Sequence, residues 1–438
     1  MQVNDDQNAV DLLGVGVGPF NLSLAALLAP LPAITSCFFD RNPSFVWHSG
    51  LLLPEAEIQV SYLKDLVTLV DPANPFSFIA YLAKHKRLYR FMNARFHQVL
   101  RTEFNQYLNW VSRSLANLNF DEEVESIHFE QSSFVARTSK RKIRTKHLVL
   151  GSGLSPSIPE CARLKTGNNI FHGKDYLSHS HRCRGRRVVV IGGGQSGADI
   201  VNHLLSDSGA LPSELVWATK RAIFSPIDES VFANEYFTPV YNDYFFSLSS
   251  GKKSRLLQEQ VLASDGISAH LLESIYRKLY FYEFIENMPR FFRFIGNHEL
   301  TSLSRSGNSV EIGLRICDTI EQRHYAADVV ILCTGYHWQM PAYLEGLRDR
   351  IPLENGHFCV RKDYSIHWYG PSQNQIYVQN AARHSHGIAD PNLSLMAWRS
   401  ARIINSLAQK TVYDIDNEST VMEWEGFSGY QNEERQYA

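Results

Sequence analysis

The sequence predicts an open α/β fold with two Rossmann-like dinucleotide-binding domains and a small helical segment set into the second. Three observations predict it. Twice the chain runs from a buried strand through a glycine turn into a helix, as "AVDLLGVGVGPFNLSLAALLA" from residue 9 and "RRVVVIGGGQSGADIVNHLL" at 186–205. Each repeat is followed by a second strand, "SCFFDRNP" at 36–43 and "ELVWATKR" at 214–221. Between about 250 and 288, in "SRLLQEQVLA" and "SAHLLESIYRKLYFYEFI", apolar residues recur three and four apart, the period of a helix. Strand, glycine turn and helix in repetition is the signature of a parallel sheet covered by helices.

Composition limits what such a fold can do. At 438 residues, 44% hydrophobic and 20% charged, the chain has length for two or three domains with real cores. A formal net charge of −2 gives no global field for nucleic acid or an anionic membrane. The densest basic run, "SKRKIRTKH" at 139–147, is interrupted by Ile143 and leads into a strand, so it reads as a solvated edge or hairpin. Six cysteines, at 37, 161, 183, 317, 333 and 359, form no C-x-x-C pair and no metal-ligand spacing, as expected of a reduced cytoplasmic protein. No signal peptide is expected before the first strand, and no apolar run has bilayer-spanning length.

In the first repeat Gly14 and Gly16 permit a tight turn and close approach of backbone to a pyrophosphate, whose charge the following helix start stabilises, and Gly18 and Pro19 end the fingerprint. Pro19 departs from the usual small residue, but proline is tolerated in a first helical turn, where its missing amide hydrogen would be unpaired anyway. Asn21 and Ser23 are expected to help cap this helix. Asp40 ends the second strand where a carboxylate receives a ribose hydroxyl. The second repeat carries Gly192, Gly194 and Gly197 in full G-x-G-x-x-G order, with Gln195 and Ser196 between them. Its second strand ends in Thr219, Lys220 and Arg221, where cations favour the 2'-phosphate of NADP. An acid-ended site followed by a base-ended site predicts FAD first and NADPH second.

A third strand, "DVVILCTGYHW", runs into Thr334, Gly335 and Tyr336 and is expected to close the first sheet after an insertion. A strand at 375–382 and a helix in "LSLMAWRSARIINSLAQ" follow. The expected division is 1–178 for the first part of the FAD domain, 179–327 for the NADPH domain with its helical substrate segment at about 228–290, and 328–412 for the second part of the FAD domain. The tail at 413–438 is polar, and no structure is expected for most of it.

From about residue 10 to 412 the chain resembles the class B flavin-dependent N-hydroxylating monooxygenases, in particular the lysine N6-hydroxylases and ornithine N5-hydroxylases of hydroxamate siderophore biosynthesis. The resemblance rests on "GVGVGPFNLSLAAL", "FFDRNPSFVWHSGLLLP", "IQVSYLKDLVTLVDPANPFSFIAYL", "VVVIGGGQSGAD", "ANEYFTP", "SDGISAHLLESIYRKLY", "TGYHWQMP" and "HGIADPNLSLMAWRSARI". It implies that NADPH reduces FAD, that the reduced flavin takes up O2, and that a neutral terminal amine is hydroxylated. It places Trp47, His48, Gln59, His386, Gly387 and Ser394 at cofactor, and Gln59, Lys64 and Ser394 in the catalytic centre. Lys64 becomes the partner of a substrate carboxylate, Asn234 a contact to the amino-acid end, and Asp265 a carboxylate for an ammonium group. Other readings stand beside these: Lys64 as a surface or an ion-paired lysine, Asp265 as a helix N-cap, Ser394 as a core hydroxyl bonded to backbone. His384 and His386 lack acidic or cysteine neighbours, so no metal is expected.

The resemblance implies L-lysine as substrate, with putrescine, cadaverine, ornithine and histamine as alternatives, O2 as co-substrate, and a homo-tetramer. Two readings of other classes share the plan: a flavin disulfide reductase, which would need a redox-active cysteine pair, and a non-catalytic flavin-binding protein.

Overall fold

The computed structural model describes residues 9–96, 98–307, 309–416 and 419–424. Strand β1 (Ala9–Val15) enters a turn that Gly16 closes with φ +84°, and the helix Pro19–Leu28 follows with its proline in the first turn. β2 (Ser36–Phe39) and β3 (Leu118–Asn119) extend the sheet in parallel on one side of β1. On the other side stand β4 (Val124–Glu130), β5 (Ser133–Thr138) and β6 (Lys142–Leu150), giving the order β3-β2-β1-β6-β5-β4. The helix Arg101–Ser114 buries Phe104, Tyr107, Leu108 and Val111 in the same core. The basic run forms the β5–β6 turn and the start of β6, where Lys142 and Lys146 are exposed while Ile143, Thr145 and His147 are buried. It is a solvated hairpin, but inside the sheet and not at its edge.

After β7 (Ser155–Pro156) the chain leaves for a second sheet, built from β8 (Ile170–His172), β9 (Arg187–Ile191), β10 (Glu214–Ala218), β11 (Phe292–Ile295) and a later strand. β9 runs through the second glycine turn into the helix Gln195–Leu204. Helices Ser250–Glu259 and Ala269–Tyr280 occupy the region whose period is helical, and the helix Pro239–Ser247 precedes them within the 228–290 segment. An antiparallel sheet of β12 (His298–Ser306), β13 (Ser309–Ile316) and β14 (Gln322–Ala327) covers the second unit.

Here the structure corrects the sequence reading. β15 (Val329–Leu332) does not close the first sheet; it lies in parallel between β9 and β8, giving the order β11-β10-β9-β15-β8. Ile170–His172, expected in the first unit, belongs to the second sheet as well. Both short strands are buried along their whole length and apolar but for His172, so their sequence suits either sheet and only pairing decides. The chain returns to the first sheet at Ile376–Val378, which pairs Leu148–Leu150 of β6. That strand takes the edge of β6 that β5 leaves free, because β5 pairs only Lys142–Thr145.

The second unit is therefore an insertion, joined to the first by a narrow ribbon. β16 (Tyr336–His337) pairs antiparallel with β7, Tyr336 opposite Pro156 and His337 opposite Ser155. Ser157 N–H donates to the Gly335 carbonyl at 2.9 Å, and the Thr334 hydroxyl donates to the Ser157 carbonyl. The helix Met396–Ala408 completes the first unit. The start of the tail packs on both units: the Tyr413 hydroxyl donates to Leu27 O at 2.6 Å, and the Trp424 ring lies 4.9 Å from that of Tyr241 in the helix Pro239–Ser247. Residues 425–438 lie outside the described residues. Among the described residues no helix is long and apolar enough to cross a membrane.

Candidate active site

Each glycine turn leaves a helix start open. Gly18 precedes its helix with extended backbone (φ −84°, ψ 178°), no side chain caps the helix, and a Cβ there would meet nothing within 4 Å. Gly194 repeats the arrangement before Gln195–Leu204, again uncapped and facing open space. Amides at an uncapped helix start are donors in want of an anion. Gly14 has a different task from the one expected: a Cβ would fall 2.1 Å from the Phe38 ring, so it serves strand packing. A Cβ at Gly197 would stand 2.4 Å from the Gly192 carbonyl oxygen, so the third glycine lets helix and strand meet.

Asp40 stands beside the first turn, with Oδ2 accepting Val17 N–H and Oδ1 accepting Asn42 N–H, each at 2.8 Å. Asn21 and Ser23 do not cap the helix: the Asn21 amide donates to Val15 and Gly16 carbonyls, and the Ser23 hydroxyl to Leu66 O. Both are fully buried and tie the helix to its surroundings. Trp47 N–H donates to Asn105 Oδ1 at 2.9 Å, and His48 holds a left-handed backbone (φ 52°). His48 lines a cavity of about 390 Å³ between Asn42–Leu51 and Lys174–Asp175.

A second cavity, about 640 Å³, is bounded by the Gly192–Ser196 turn, Thr219–Arg221, Asp265, Gln59 and Thr334–Tyr336. Thr334, Gly335 and Tyr336 thus face the second turn, as the placement of β15 requires. Thr219 is buried against Gly193, where a Cβ would meet its hydroxyl at 2.3 Å. Lys220 is exposed, and its ammonium has no partner among the described residues. Arg221 is committed: its guanidinium donates to Gly193 O at 3.4 Å and Asp265 O at 2.9 Å. The Gln59 amide reaches Gln195 Oε1 at 3.2 Å and Ser268 Oγ at 3.4 Å.

Lys64 and Ser394, 330 positions apart, meet with Nζ 2.9 Å from Oγ. Phe237, missed in the sequence, puts its ring centroid 5.8 Å from the same ammonium, and Ser394 is 3% exposed. No carboxylate pairs Lys64 among the described residues, and burial pushes its ammonium below the ordinary lysine value. An ammonium so placed is short of a counter-charge. Asn234 is exposed on the turn Ala233–Phe237 that carries Phe237, its amide 3.5 Å from Glu229 O. The Asp265 carboxylate is not open: it pairs Arg383 at 2.9 Å and accepts from the Ser264 hydroxyl. Nor is it the N-cap of the next helix, a place taken by Ser268.

His386 is core. It is 1% exposed, its ring stacks 4.1 Å from Tyr364, and burial drives its pKa well below the ordinary value, so the imidazole is neutral. Its carbonyl accepts from the Asn242 amide at 2.8 Å, while Gly387 turns the chain with φ +85°. His384 Nε2 stands 2.9 Å from Phe358 O. Among the described residues no group of three or more His, Cys, Asp or Glu is placed to hold a metal ion.

The two open helix starts fit two pyrophosphates. Gly16 to Pro19 with Asp40 would hold FAD, and Gly192 to Gly197 with Lys220 would hold NADPH; the pair supplies electron transfer to O2 when bound.

The model of the family L-lysine 6-monooxygenase/L-ornithine 5-monooxygenase matches residues 8–338. The L-lysine N6-monooxygenase of Escherichia coli is 39% identical over 421 residues, covering 95% of this chain and 99% of that protein. Among solved structures, the FAD-bound cadaverine monooxygenase of the desferrioxamine pathway of Erwinia amylovora superposes with TM-score 0.90 at 29% identity, over 95% of this chain and 99% of that one. The ornithine N-hydroxylase of Kutzneria sp. 744, with reduced FAD, NADP+ and L-ornithine, gives TM-score 0.85 at 30% identity, over 92% and 99%.

Proposed function

The chain belongs to the L-lysine 6-monooxygenase/L-ornithine 5-monooxygenase family, and on that premise we propose that it N-hydroxylates the terminal primary amine of L-lysine in hydroxamate siderophore biosynthesis. It is a flavin N-monooxygenase that uses FAD and NADPH. One observation carries the choice of an amino acid: the half-buried ammonium of Lys64, held by Ser394 and Phe237, has no carboxylate partner among the described residues and suits that of the substrate. Lysine then binds by its α-carboxylate at one end and presents its ε-amine at the other. Asn234 serves the amino-acid end in this reading, which its position on the same turn as Phe237 supports. An amine must lose its proton to react, and removal from water favours the neutral form. Asp265, occupied by Arg383, contributes through its carbonyl, which holds Arg221 at the coenzyme cavity.

A diamine is the second reading, supported by the likeness to the cadaverine monooxygenase. A diamine has no carboxylate for Lys64. The test is a panel of lysine, ornithine, putrescine, cadaverine and histamine with FAD-loaded enzyme, NADPH and O2, reading hydroxylamine formed per NADPH consumed. Product from lysine with the largest kcat/KM supports the proposal; product from a diamine and none from lysine overturns it.

The six cysteines are unpaired, which supports a reducing, cytoplasmic setting and argues against a disulfide reductase. The exposed ridge of Tyr276, Tyr280, Phe284 and Ile285 supports a homo-oligomer.

A further inference from the structure

Gln195 opens the helix at the second glycine turn, and its side chain is held at both ends. Its Oε1 accepts from Ser268 N–H at 2.9 Å and from the Gln59 amide at 3.2 Å, while its Nε2 donates to Asp199 Oδ1 at 3.0 Å. The amide has one possible orientation, because a carboxylate only accepts and a backbone N–H only donates. Asp199 Oδ2 in turn accepts from Arg101 Nη2 at 3.0 Å, the two side chains being 2% and 11% exposed. Arg101 stands on the other unit, at the start of the helix Arg101–Ser114. Its guanidinium also donates to the Leu51 and Glu57 carbonyls, at 3.0 and 3.3 Å, and its backbone N–H to Ala56 O at 2.7 Å. A continuous series of bonds therefore joins the segment 51–59 of the flavin unit to the first turn of the coenzyme helix. The same segment leads through Gln59 to Lys64. Nearby the units touch closely enough that a Cβ on Gly50 would fall 1.8 Å from Lys174 O.

We propose that Arg101 and Asp199 are positioning residues for the nicotinamide-coenzyme site, acting through Gln195: their buried ion pair fixes the Gln195 amide and so sets the uncapped helix start in register with the flavin-side segment. Neither residue lines the coenzyme cavity. Their effect is to make coenzyme binding depend on how the two units are docked, a coupling that each unit alone would lack.

The test uses full-length, FAD-loaded protein and titrates NADP+ calorimetrically, with FAD content and thermal melting followed beside it. D199N and Q195A should each raise the NADP+ Kd about tenfold with FAD content unchanged. The double variant should bind no worse than the weaker single, because both act on one element. A Kd within twofold of wild type in folded D199N or Q195A, or effects that multiply in the double variant, overturns the proposal, whatever the melting temperature does. Should D199N fail to fold, R101K and Q195A decide, since lysine keeps the charge but cannot span three acceptors; an unchanged Kd in R101K then overturns it.

Discussion

The ammonium of Lys64 is held 2.9 Å from the hydroxyl of Ser394, which stands at the start of the last long helix, with the Phe237 ring on its flank. A charged donor with a neutral acceptor and an aromatic face is oriented but not neutralised. K64A should raise the lysine KM roughly 30-fold, about 2 kcal/mol for a lost charge-assisted hydrogen bond, with a smaller fall in kcat. Any turnover of cadaverine should be unchanged. S394A should raise the lysine KM by less, about three- to tenfold. Steady-state kinetics of both variants with both substrates checks this.

Because burial lowers the Lys64 pKa, its ammonium is lost at a pH below that of a free lysine. The lysine KM should therefore climb on the alkaline side before ordinary lysines titrate, and K64R, whose charge does not titrate, should remove the climb. The sign for stability is opposite to that of a paired cation. In the window between the depressed and the ordinary value the unfolded chain holds the proton and the folded chain does not, so stability rises with pH there. KM against pH for wild type and K64R is the measurement.

Lys220 and Arg221 are adjacent but do different work. Lys220 is exposed at the coenzyme cavity and has no partner among the described residues, so K220A should raise the NADPH KM about tenfold and leave the NADH KM unchanged. Arg221 holds Gly193 O and Asp265 O, so R221A should weaken both coenzymes. Parallel KM measurements with the two coenzymes separate the roles.

His147 Nδ1 accepts Gln375 N–H at 3.1 Å, clipping the approach to Ile376–Val378 onto β6. Burial, with Lys146 adding to it, pushes this imidazole down to about 4. Its contribution is full above the ordinary value of about 6.5 and is lost as pH falls toward the folded value, on the order of 3 kcal/mol across the window. Melting temperature should fall over that range, and H147Q, which keeps an acceptor but no titrating ring, should flatten the slope.

Much of this was legible because it is local. Strand, turn and helix follow from a few adjacent residues, and the cation at 220 and the carboxylate at 40 lie a fixed distance beyond their turns. What stayed hidden was pairing across the chain. "VVIL" at 329–332 would bury equally well in either sheet, and its neighbours β9 and β8 lie more than a hundred residues upstream. Asp265 gave no hint of Arg383, because partners 118 residues apart leave no local signal, nor Arg101 of Asp199, since a charged residue in a sequence does not announce that it will be buried. Phe237 was in view within "ANEYFTP", but its meaning depends on an ammonium from elsewhere.

The β7–β16 ribbon has a consequence for how the molecule is made. A ribosome delivers β1, β2 and β6 early, but Ile376–Val378 and the helix Met396–Ala408, which complete their core, come last. Every strand of the inserted sheet has been synthesised by Leu332. The interior piece can fold first, while the piece that began first waits with its apolar sheet uncovered. The nascent protein is most exposed to aggregation between those two events, and substitutions that slow the docking of Ile376–Val378 should cost soluble yield before they cost activity.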